Sequence, residues 1–71
     1  MSNSAAWEVN EYHQDGWDFC DAVRETAMKR KMTMTNVALI YLSVCGHIPD
    51  GYTLSGFREL DVTHPAFEER E

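Results

Sequence analysis

Basic residues are scarce in this chain: six lysines and arginines stand against twelve aspartates and glutamates in 71 residues, a formal charge of −6. Such a chain is repelled at long range by DNA, RNA and anionic lipid, so neither direct nucleic-acid binding nor membrane binding is expected of it. Cysteine is scarce as well. Cys20 and Cys45 make no disulfide framework, and Met1–Ala6 has neither the basic stretch nor the apolar run of a secretory signal; a reduced, cytoplasmic setting is expected. The longest apolar run, Val37–Leu42, is far too short to cross a bilayer. With two prolines, four glycines and no internal repeat, residues 1–71 are expected to form a single domain, near the lower size limit for folding alone.

Recognisable catalytic patterns are missing too. There is no G-x-S-x-G, no phosphate-binding glycine loop and no H-E-x-x-H, and Ser55-Gly56 has no evident base. The chain is expected to act without catalysis and without a cofactor. His13 with Cys20, Cys45 with His47, and His64 lack the C-x-x-C or H-x-x-x-H spacing of zinc sites, so no metal is expected. Buried thiols and a partly buried histidine explain these residues better.

What is present is a pair of stripes. Wound at about 100° per residue, Val9, Tyr12, Gly16, Phe19, Val23 and Thr26 fall together, flanked by Ala5, Cys20 and Ala27. Beside this apolar seam, Glu8, Glu11, Asp15, Asp18 and Glu25 fall within about 100° of one another as an anionic stripe. Asp15-Gly16 reads locally as a turn, with Asp15 as a cap, yet both stripes keep their phase across it. The periodicity predicts one long N-terminal helix, continuous or kinked at Gly16, capped by Ser4 and ending near Lys31, where Lys29-Arg30-Lys31 suits the helix dipole.

After the Met32–Thr35 connector, a central helix is expected from Asn36 to Cys45, with Thr33 or Thr35 as N-cap, Gly46 as C-cap and Pro49 preventing continuation. A strand is its main rival, since Val, Ile and Tyr favour strands. Its apolar residues point all round, so it is expected to be buried on every side; a second copy of the chain, meeting it at Leu39, would supply the cover. Pro49-Asp50-Gly51 reads as a tight turn, Leu54–Leu60 as one or two helical turns with Phe57 and Leu60 inward, and Thr63 with Pro65 as the start of a last short helix carrying Phe67. The expected fold is therefore all-α: a small helical domain with a long N-terminal helix, a buried central helix and short C-terminal helical turns.

Functionally, the anionic stripe suits a protein partner with a cationic surface, including the nucleic-acid groove of another protein. Its expected contact residues are Glu8, Glu11, Asp15, Asp18 and Glu25, with Trp7 and Trp17 as aromatic anchors lying off the apolar seam. In type, though not in motif, a tiny acidic helical chain is similar to phage-encoded and mobile-element inhibitors of host machinery, anti-CRISPR proteins among them. The alternative comes from Arg24–Leu60, where Thr33, Val37 and Ala38 resemble the T-x-x-x-L-A signature of helix-turn-helix domains. That resemblance implies a DNA-binding transcription regulator with a reading helix at Leu54–Leu60. The chain departs from it at Leu42, where the pattern has a small glycine, and the reading helix would carry Glu59 and Asp61 beside Arg58.

Overall fold

Four helices follow one another in the computed structural model, which describes residues 3–63: α1 (Asn3–Gln14), α2 (Phe19–Arg30), α3 (Met34–Cys45) and α4 (Leu54–Thr63). The all-α expectation is met, with no strand among the described residues, and the central segment is a helix. No helix among them is long and apolar enough to cross a membrane. The expected last helix around Pro65 and Phe67 lies outside the described residues.

The long N-terminal helix is corrected to two. Gly16, at φ +103°, follows Asp15 in a conformation that side chains resist. Its N–H donates to the His13 carbonyl and the Trp17 N–H donates to the Tyr12 carbonyl, both at 3.1 Å, which closes α1 in a Schellman motif. The hydrophobic contact typical of that motif is present: the Trp17 and Tyr12 rings lie 4.6 Å apart. Asp18, not Asp15, then caps α2, accepting the Cys20 N–H at 3.0 Å. Ser4 lies within α1 and does not cap it.

Periodicity misled because the chain doubles back. Glu8 on α1 meets Lys29 and Arg30 at the far end of α2, so the two helices run side by side in opposite directions. Val9 from the first, and Phe19, Val23, Thr26 and Ala27 from the second, face one core. The four-residue link happens to preserve the seam's phase without continuing the helix.

Small residues let these helices approach closely: Ala5, Ala6, Ala22, Ala27 and Ala38 are all buried. Phe19 ties the bundle together, its ring 5.0 Å from Tyr41 on α3, 5.2 Å from Tyr52 and 6.0 Å from Phe57 on α4. α3 starts two residues earlier than expected because Thr33 caps it, accepting the Asn36 N–H at 3.1 Å; Gly46 ends it in the expected left-handed conformation. Asp61 reaches across from α4 to the same end, accepting the Met34 and Thr35 N–H groups at 2.8 and 3.0 Å and the Thr35 hydroxyl at 2.6 Å. Within one copy of the chain the central helix is covered on one side. α1, α2 and α4 cover Met34, Val37, Ala38 and Tyr41, while Leu39 stays 44% and Val44 38% exposed. Among the described residues no element wraps its outer side.

Candidate functional site

The α1–α2 hairpin holds a cleft of about 460 Å³ lined by Ser4, Trp7, Glu8, Glu11, Tyr12, Asp15, Lys29 and Arg30. Trp7, Glu11 and Asp15 are four residues apart in turn, so they form one ridge along α1 and past its end. Glu8 and Tyr12 form the neighbouring ridge and lean towards α2.

That second ridge is fully engaged. Lys29 Nζ donates to the Tyr12 hydroxyl at 2.7 Å, lies 3.4 Å from Glu8 Oε2 and stands 5.4 Å from the Tyr12 ring centre. The hydrogen bond to Tyr12, with the Glu8 carboxylate beside it, holds the Lys29 ammonium above its ordinary range. Arg30 closes on Glu8 Oε1 at 2.9 Å from both Nε and Nη2. Both cations of the cleft are thus taken by Glu8. Glu11 and Asp15 are exposed and have no ion pair among the described residues. Trp7 beside them is 61% exposed.

The anionic stripe is therefore divided. Glu8, Glu11 and Asp15 share the cleft with Trp7; Asp18 and Glu25 do not line it. Asp18 is occupied structurally, capping α2 and accepting the Tyr52 hydroxyl at 2.7 Å; that bond, chiefly, raises the Tyr52 phenol above its usual range. Glu25 is half-buried on α2. Trp17, 40% exposed, leans on Tyr12 at the cleft's edge. Tyr12, Lys29 and Arg30 are the residues that sequence reasoning left out of the site. Their signal was the Tyr-His-Gln-Asp-Gly-Trp ending, which folds the basic end of α2 back upon Glu8.

The expectation of buried thiols and a partly buried histidine is corrected: Cys20 is half-buried, while Cys45, His13 and His47 are exposed at helix ends. His13 donates from Nδ1 to the Trp17 carbonyl at 3.3 Å and meets the Phe19 ring edge-on. Burial, with Asp18 and Asp21 close by, pushes the Cys20 thiol up and away from thiolate chemistry. Among the described residues no three His, Cys, Asp or Glu side chains gather as metal ligands; His64 lies outside them. The α2–α3 corner is compact, with Lys31 in the left-handed conformation at φ +57°. Yet the exposed side of α4, the reading helix of the helix-turn-helix alternative, offers Ser55, Arg58, Glu59 and Val62, so its cation stands beside a carboxylate that repels phosphates. No protein-family model matches the chain, and comparison with curated proteins and with solved structures likewise gives no match.

Proposed function

We propose that this chain is a non-enzymatic, cytoplasmic binding protein that regulates or inhibits a protein partner by docking the Trp7–Glu11–Asp15 ridge of α1 onto a cationic surface. The observation carrying this reading is the coincidence, in one open cleft, of a Trp ring 61% exposed and two carboxylates free of ion pairs among the described residues. An exposed Trp is a typical energetic anchor of protein interfaces, and the unpaired carboxylates steer a basic partner towards it. In manner of action this puts the chain beside the small acidic inhibitors of phages and mobile elements, anti-CRISPR proteins included. Trp17 forms the rim of the same surface. Leu39 on the outer side of α3 is the proposed contact between two copies of the chain.

The test is affinity capture from host lysate with wild type, Trp7→Ala, the double reversal Glu11→Lys with Asp15→Lys, and Val62→Ser on α4 as a control. Asp18 is left intact because reversing it would uncap α2. Wild type and the control should retain a common partner that the other two lose, the wild-type complex should weaken with salt, and all four should remain equally helical. Identical captured sets from all four would refute the docking surface. A shift of DNA by the wild-type chain at physiological salt would favour the helix-turn-helix alternative.

A further inference from the structure

The cleft already shows how it treats a cation. At its α2 wall the Lys29 ammonium is held by a hydroxyl and a carboxylate together: Tyr12 Oη at 2.7 Å and Glu8 at 3.4 Å. Arg30 sets both Nε and Nη2 against a single Glu8 oxygen. The opposite wall sets carboxylates beside an exposed aromatic ring without a resident cation among the described residues: Trp7, with Glu11 one turn on and Asp15 a turn further. Three carboxylates line the cleft against two cations, and both cations are committed to Glu8.

We propose that this aromatic–carboxylate wall takes arginine side chains of the partner, presented one helical turn apart on a basic segment. Arginine is favoured over lysine by the materials of the wall. A planar guanidinium lies flat on an indole and meets carboxylate oxygens with a fork of N–H donors, whereas an ammonium does neither as well. Two carboxylates one turn apart match two guanidiniums one turn apart, and an open cleft of about 460 Å³ admits side chains of that size.

This inference rests on the docking reading above and names the chemistry of the partner. Its test uses a Trp17→Phe chain, which keeps an aromatic ring on Tyr12 and leaves Trp7 as the sole indole. Three alanine-rich peptides are titrated against Trp7 fluorescence, carrying two arginines, two lysines or two glutamines at i and i+4. The arginine peptide should give a saturable change, weakened by salt and about tenfold tighter than the lysine peptide; the glutamine peptide should give none. The double variant Glu11→Gln with Asp15→Asn, built on exposed positions, should lose the arginine peptide by about tenfold or more while keeping its circular dichroism. Equal binding of arginine and lysine peptides, binding of the glutamine peptide, or no arginine binding would overturn the proposal. If the peptide fails while Trp7→Ala still abolishes partner capture, the arginine chemistry falls and the docking surface stands. If capture survives every α1 variant, the docking surface falls as well.

Discussion

Replacing Thr26 by Val should stabilise the fold. Thr26 lies in α2 with no exposed surface, and its hydroxyl has no hydrogen-bond partner among the described residues. A buried hydroxyl without a partner costs about 1–3 kcal/mol against its hydration in the unfolded chain. Valine has the same branched shape, so it fills the same space, and both residues are stiff at χ1, so helix propensity changes little. The expected gain is about 1–2 kcal/mol, or roughly 4–15 °C in Tm for a chain of this length. Circular dichroism melts and urea titrations read it directly, with the midpoint rising and the slope unchanged. Thr26→Ser is the informative partner, since it keeps the hydroxyl and removes the methyl; it should lose about 1 kcal/mol. The cleft does not include Thr26, so partner capture should be unaffected. A Thr26→Val chain that melts at or below wild type would show that the hydroxyl is satisfied, and the reasoning would be wrong.

Asp61→Ala should cost about 2 kcal/mol in urea unfolding, because it strips three acceptor contacts from the start of α3, and Asp61→Asn should recover part of that loss. Gly16→Ala should cost about 1–2 kcal/mol through backbone strain alone, since a Cβ there meets nothing within 4 Å. The shifts at Cys20, Lys29, Tyr41 and Tyr52 are all upward, so the unfolded chain releases these protons first. The stability they confer is complete below their unfolded values and is lost as pH rises above roughly 9. An alkaline melting series should show that decline, and Tyr52→Phe should flatten it. Leu39→Ser should weaken self-association in sedimentation more than Asn36→Ser, and a monomeric wild type at low micromolar concentration would remove the dimer.

Legibility followed the range of the interaction. The stop at Gly46 is decided within a few residues and could be read off the chain; the cap could be narrowed to Thr33 or Thr35, and the caps tip the central segment from strand to helix. Asp61 at the start of α3, 26 and 27 residues from the groups it binds, leaves no local trace. The covering of α3 is likewise a count of neighbouring elements, which periodicity does not supply; Leu39 is expected to need a second copy for cover, and within one copy it stands exposed.

The Asp15-Gly16 step shows how a local signal and a periodic one should be weighed. Phase across a turn is weak evidence of continuity when two short helices fold back on one core, because both must present apolar residues at helical spacing. A glycine at C′ with an aromatic residue at C″ and another at C3 is stronger evidence, since it names the bonds and the ring contact that end the helix. The turn also builds the site. It sets Trp17 on Tyr12, brings Lys29 against Tyr12 and Glu8, and so commits the basic end of α2 internally. On a continuous helix Glu8 would stand some 30 Å from Arg30, at 1.5 Å per residue, and three carboxylates would face solvent alike. Folding back neutralises Glu8 and leaves Glu11 and Asp15 beside Trp7. The selectivity proposed for that ridge is thus a product of the break in the helix.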